Sequence, residues 1–328
     1  MHTQQLAINK YNLKMKILIT GADGFVGSTL CSTLQQRGIE SVQTVRKNAS
    51  GGRISIGDLS AETNWQQVLS DCTCVIHLAA RVHVMDEQAG DPLAAFRAIN
   101  VDATLNLAKQ AVAAGVKRFV FVSSVKVNGE ETFERPFTAF DTPAPLDPYG
   151  QSKLEAELAL LELARKSGLE VVIVRPPLVY GPGVRANFLN LMKLVKKGLP
   201  LPLGAIHNRR SMVALGNLVD LLILCSSHKQ AAGQVFMVSD ECDVSITQLL
   251  RQLAHAMQRR SLLIPVPASL IAGTARLLGK SAIASRLLGS LQVDIEHTKD
   301  RLQWQPPLSM PDALQQTVTH FLSQGTDI

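Results

Sequence analysis

Three residues could carry chemistry together. Tyr149 and Lys153 stand four apart in Tyr149-Gly150-Gln151-Ser152-Lys153, and Ser124 follows the apolar run Phe119-Val120-Phe121-Val122-Ser123. Residues four apart share one face of a helix. An ammonium near a phenol favours the phenolate, so Lys153 is expected to lower the Tyr149 pKa toward working pH. Such a tyrosine takes a proton from a hydroxyl, or gives one to a carbonyl oxygen, while hydride moves to or from a nicotinamide. A serine at the C-terminal end of a central parallel strand lies where open α/β sheets bind ligands.

A second constellation supplies a place for the nicotinamide carrier. Gly21-Ala22-Asp23-Gly24-Phe25-Val26-Gly27 lies between the apolar run Lys16–Thr20 and a helical pattern from Phe25 to Arg37. Gly21 permits the turn, Gly24 admits a pyrophosphate, and Gly27 lets the helix sit close to the sheet. The helix N-terminus then faces the anion. An acid ending the second strand would bind the ribose of NAD, but that strand ends Thr44-Val45-Arg46-Lys47. Arg46 suits a 2′-phosphate, so the expected cofactor is NADP(H) rather than NAD(H). Asp58, followed by Leu59, is placed to bind adenine.

The elements that must position these groups alternate. Strand patterns at Ser41–Val45, Ile54–Ile56, Cys74–Leu78, Arg118–Ser123 and Glu170–Val174 are separated by helical patterns, including Leu93–Ala114 and Tyr149–Lys166. Apolar strands between helices predict a parallel sheet covered on both faces, a doubly wound α/β fold. Residues 15–178 form the expected dinucleotide-binding domain, with 213–238 returning to it. Residues 179–212 and 239–328 form a smaller lobe, and 1–14 read as a polar extension in which Met15 could be the natural start.

Composition narrows the function. The chain has 328 residues, 46% hydrophobic and 18% charged, enough to bury a core. Aromatics are 5% and the net charge of +6 lies in separate pairs such as Arg209–Arg210 and Arg259–Arg260. Nucleic acid is therefore not the expected partner, while an anionic small molecule is. Five cysteines, an odd number in a long chain, argue against a disulfide framework. Cys72-Thr73-Cys74 lacks a second ligand pair, so no metal is expected. Nothing reads as a signal peptide or a membrane span, which makes the cytoplasm the expected location. The apolar segment Ser261–Leu278 reads as a helix packing the lobe or a dimer rather than lying on a membrane.

Taken in order, phosphate cradle, strand-end serine and Tyr/Lys helix resemble the extended short-chain dehydrogenase/reductase family from Met15 to about Trp304. Gly21, Gly24 and Gly27 match its glycine motif. His77-Leu78-Ala79-Ala80 matches its fourth-strand motif, and Asn100-Val101-Asp102-Ala103-Thr104 matches a helical motif with Ala103 in place of glycine. Arg175-Pro176-Pro177-Leu178 matches the turn into the substrate lobe. The resemblance implies a catalytic set of Ser124, Tyr149 and Lys153. It also implies cofactor contacts from Leu78, Ala79, Ala80, Asn100, Pro176, Tyr149 and Lys153.

Within that family the sequence is similar to the nucleotide-sugar epimerase/dehydratase branch, which implies a UDP-sugar substrate. Asn187 and Arg210 are the implied diphosphate ligands, with Arg286 a second clamp. Arg81, His83, Ser124, Val125, Lys126 and Tyr149 are the implied sugar contacts. Asn128 stands where UDP-galactose 4-epimerases usually carry tyrosine, and Arg81-Val82-His83-Val84-Met85 also departs from them. These departures and Arg46 favour a 4-keto reductase of a UDP-2-acetamido-2,6-dideoxy sugar in surface polysaccharide biosynthesis. The alternative is a UDP-glucose/UDP-N-acetylglucosamine 4-epimerase, and a third reading is a non-catalytic dinucleotide-binding protein. The family also implies a homodimer through the helices at Leu93–Ala114 and Tyr149–Lys166.

Overall fold

The computed structural model describes residues 15–47, 49–82 and 90–324. Its strands are β1 Lys16–Thr20, β2 Glu40–Val45, β3 Ile54–Ser55, β4 Cys74–His77, β5 Arg118–Val122, β6 Glu170–Arg175, β7 Leu178–Tyr180, β8 Met212–Ala214 and β9 Val235–Met237. The first helices are α1 Phe25–Gln36, α2 Gln66–Leu69, α3 Pro92–Arg97, α4 Thr104–Ala113, α5 Pro148–Ser167 and α6 Ala186–Lys197. Then come α7 Leu215–Cys225, α8 Ile246–Ala256, α9 Ala268–Leu277, α10 Ser281–Leu288, α11 Glu296–Leu302 and α12 Met310–Ser323.

Seven strands form one parallel sheet in the order β3-β2-β1-β4-β5-β6-β9. The order runs outward from β1 on both sides, the doubly wound arrangement in which ligands bind where the winding reverses. Side chains alternate across each strand, so Ile17 and Ile19 join one core while Leu18 joins the other. The first core fills the space toward α1 and α7, and the second the space toward α2, α4 and α5. A third core, built on α6, α8 and α12 with Tyr180 and Met212, belongs to the smaller lobe. β7 and β8 pair there as a separate parallel ribbon.

Two predicted helices differ in detail. The Leu93–Ala114 pattern is a single helix in the sequence, yet a π-helical turn spans Ala98–Ala103 between α3 and α4. Widened turns of this kind interrupt helices where side chains are committed to a site, and Asn100 lies in it. The Ser261–Leu278 helix is shorter than expected. Residues 262–264 run extended beside Leu201, and α9 has no buried residue. It touches the lobe core only through the partly buried Ala268 and Ile271. The expectation that it packs the lobe is corrected to this extent: an amphipathic pattern shows that one face is apolar, not what covers it.

Candidate active site

The cradle is set by backbone crowding. Gly21 has φ +68°, and a Cβ on it would lie 3.1 Å from the Ala79 nitrogen. A Cβ on Gly27 would lie 2.0 Å from the Gly21 carbonyl oxygen, a distance no side chain tolerates. These contacts hold the first turn of α1 against the end of β1. Gly24 is the N-cap of α1 and no side chain caps that end, which leaves the amides there for an anion. Asp23 is exposed, and Phe25 and Val26 are half-buried in the same turn. The cradle therefore fits a dinucleotide diphosphate.

Thr20, the last residue of β1, reaches across to β4. Its hydroxyl accepts from the amides of Leu78 and Ala79, both at 3.1 Å, and lies 2.7 Å from Nδ1 of His77. The other ring nitrogen of His77 lies 2.9 Å from the Thr104 hydroxyl. Burial drives the His77 pKa down to about 3, with Lys153 adding to the effect, so the ring is neutral. This Thr20–His77–Thr104 chain locks the Leu78-Ala79-Ala80 backbone beside the cradle. The sequence signal was a polar residue ending each of two buried strands.

Arg46 and Asp58 lie together past the ends of β2 and β3, Nε to Oδ1 3.7 Å, both well exposed. Leu59 is half-buried against the core beneath α4. Arg46 is thus accompanied by a carboxylate, which offsets the positive field expected to favour a 2′-phosphate.

Tyr149 sits in the first turn of α5. Asp147 caps that helix, its Oδ1 accepting from the Gly150 amide at 2.7 Å, with Pro148 at the first helical position. The Tyr149 ring meets Phe96 edge-on at 6.0 Å, and the Arg81 guanidinium lies over the other ring at 5.5 Å. Ser124, just past β5, accepts from the Lys126 amide at 3.2 Å and favours the ionised form of the phenol. The structure therefore brings Ser124, Tyr149 and Arg81 to one place, through a Phe96 that sequence reasoning missed. A lone aromatic in a helical stripe carries no signal of that role.

The lysine does not act as expected. Burial pushes the Tyr149 phenol up to about 12, Asp147 pushes the same way, and Ser124 only partly opposes them. Lys153 is buried too, and loss of water lowers it to about 7, with Glu157 opposing. Its Nζ lies 4.1 Å from the centre of the Phe121 ring. Four-residue spacing put both groups on one face, but burial is the largest cause of each shift, and neither group is among the causes of the other's.

Asn100 braces the site. It is buried, accepts from the Arg81 amide at 2.9 Å, and donates to the Arg81 carbonyl at 3.0 Å and the Ser152 hydroxyl at 2.9 Å. It thereby ties the loop after β4 to α5. The Lys126 ammonium pairs with Asp147 and with Glu130 at 2.9 Å. Burial raises Asp147, but Lys126 and the Gly150 amide outweigh it and hold the carboxyl below its usual range. Val125 is buried, its amide donating to the Pro176 carbonyl at 3.0 Å.

A further network lay outside the sequence reading. Arg175, ending β6, donates to both Glu157 oxygens, at 3.0 and 2.5 Å, and to Oδ1 of Asn128 at 3.0 Å. All three are buried. Asn128, singled out as a departure, thus links the loop after β5 to α5 and β6.

In the lobe, Arg210 donates from Nη1 to the carbonyls of Arg286 and Gly289, both at 3.0 Å. Arg210 and Arg286 are adjacent, but the contacts hold α10 in place. Arg286 is exposed, and Asn187 is exposed in the first turn of α6. His83 lies outside the described residues.

The family model for the NAD dependent epimerase/dehydratase family matches residues 17–239. The chain belongs to this family. UDP-glucose 4-epimerase of Vibrio cholerae is 48% identical over 312 residues, covering 93% of this chain and 95% of that protein. N-acetyl-alpha-D-glucosaminyl-diphospho-ditrans,octacis-undecaprenol 4-epimerase of Escherichia coli O157:H7 is 29% identical over 265 residues, 78% of this chain and 77% of its own. Among solved structures, MoeE5 in complex with UDP-glucose and NAD superposes with a TM-score of 0.76 at 25% identity, covering 94% of this chain and 99% of that one.

Proposed function

We propose that the protein is an NAD-dependent UDP-hexose 4-epimerase. The observation that carries the reading is the 48% identity to the Vibrio cholerae enzyme along nearly the whole of both chains. It joins a cradle shaped for a dinucleotide and a Ser124–Tyr149 pair at the sheet's ligand-binding end. The relatives support this alternative better than the 4-keto reductase that the sequence favoured. MoeE5 is held with NAD and UDP-glucose, which supports NAD over the NADP(H) that Arg46 suggested.

NAD, when bound, supplies the acceptor and donor of the C4 hydride. Gly21 to Gly27 would hold its diphosphate, Asp58 its adenine, and Lys153 its nicotinamide ribose. Tyr149 would take the proton of the C4 hydroxyl and return it to the same oxygen in the product epimer. Ser124 hydrogen-bonds the same oxygen. Lys153, at about 7, exchanges between charged and neutral forms near neutrality. Arg210 is the proposed diphosphate ligand in the lobe.

The test incubates purified protein with UDP-glucose and with UDP-N-acetylglucosamine, without reductant, and follows the C4 epimers by NMR. Conversion with no net NADH change is expected. Turnover that consumes NADPH one for one would establish the reductase instead.

A further inference from the structure

The chain's positive charge is not spread over it. Residues 244–293 hold six Lys/Arg and no Asp or Glu, so the whole net charge of +6 resides there and the remainder is balanced. The same stretch carries α9 and α10, which pack mainly on each other. Leu270, Leu277 and Leu278 stand 60%, 88% and 72% exposed, and Leu262 and Ile264 are about half exposed in the extended segment leading to α9. Arg276 and Lys280 flank the two leucines at the turn between the helices, and Arg259 and Arg260 precede Leu262. One acid, Glu131, lines a cleft with Arg276 and Ser281 on the inner side of the hairpin. Exposed leucines at a helical turn bordered by cations match what an anionic bilayer surface accepts: side chains into the acyl boundary, ammonium and guanidinium groups at phosphates.

A second copy of the chain suits this surface less well. A two-fold interface sets one patch against itself, and Arg276 and Lys280 of each copy would meet like charges. Among the described residues no helix is long and apolar enough to cross a membrane, so contact is peripheral. We propose that the α9–α10 hairpin docks this enzyme on anionic membrane surfaces.

The experiment is co-sedimentation of the full chain with vesicles of phosphatidylcholine alone or with one-third phosphatidylglycerol. Binding is expected to the anionic vesicles at low salt, at least ten-fold weaker without phosphatidylglycerol, and released by high salt as screening predicts. L277S/L278S and R276Q/K280Q should each lower binding at least ten-fold while the melting temperature and UDP-sugar conversion in solution stay unchanged. L270S serves as a third variant should either pair melt early. Absence of binding to anionic vesicles, or binding that these substitutions leave intact, would overturn the proposal. So would a wild-type dimer that L277S/L278S dissociates, since the patch would then be an interface between copies.

Discussion

At the scale of single residues, the site works by withholding water. Tyr149→Phe keeps the ring against Phe96 and removes only the proton carrier. Turnover should fall by at least ~10²–10⁴-fold, the range for general acid–base groups, with NAD binding and melting temperature preserved. Near-normal rates would reject the assignment. Lys153 gives a pH signature. Its pKa is lowered from 10.5 to about 7 on folding, so between those values the unfolded chain binds the extra proton and stability rises with pH. Melting temperature followed from pH 7 to 8.5 should climb more in wild type than in Lys153→Met, and equal slopes would contradict the burial. The residues proposed to do chemistry were legible because their types and spacing are the signal. The braces were not. Asn100, Asn128 and Lys126 are polar residues beside a motif, and nothing in their types separates touching a ligand from fixing a backbone.

At the scale of elements, position comes from a few contacts that tolerate no change. Gly27→Ala would drive a methyl group into the Gly21 carbonyl, so α1 must move off β1. A loss of ~1–3 kcal/mol is expected from overpacking, together with loss of dinucleotide binding, read by denaturant unfolding and by fluorescence titration with NADH. The Glu157–Arg175 pair joins α5 to β6, and Glu157→Gln would leave the buried guanidinium without its counter-charge. Breaking one side of such a pair costs ~3–5 kcal/mol, measurable as a shifted urea midpoint. An unchanged midpoint would show the pair is dispensable. Strands and helices were legible because apolar runs and helical spacing differ. The π-turn at Ala98–Ala103 was not, since one extra residue in a turn leaves the apolar stripe nearly unbroken.

At the scale of the whole molecule, the C-terminal segment is pinned back on the sheet domain. Asp220 on α7 accepts from Arg37, which follows α1, at 2.7 Å and from the Trp304 indole at 3.0 Å. Asp220→Ala leaves that buried indole without its acceptor, and ~1–3 kcal/mol of stability should be lost, seen by calorimetry. No change in the transition would mean that the tryptophan finds another partner. The doubly wound order was legible from the alternation of elements, whereas the place where the chain re-enters the sheet was only partly so, because β9 is three residues long. That re-entry has a consequence during synthesis. β9 pairs with β6 only after the β7–β8 ribbon has been made between them. A ribosome that has released Arg175 but not yet Val235 therefore displays β6 as an open edge. Nascent chains stalled in that interval can pair with a neighbour along that edge.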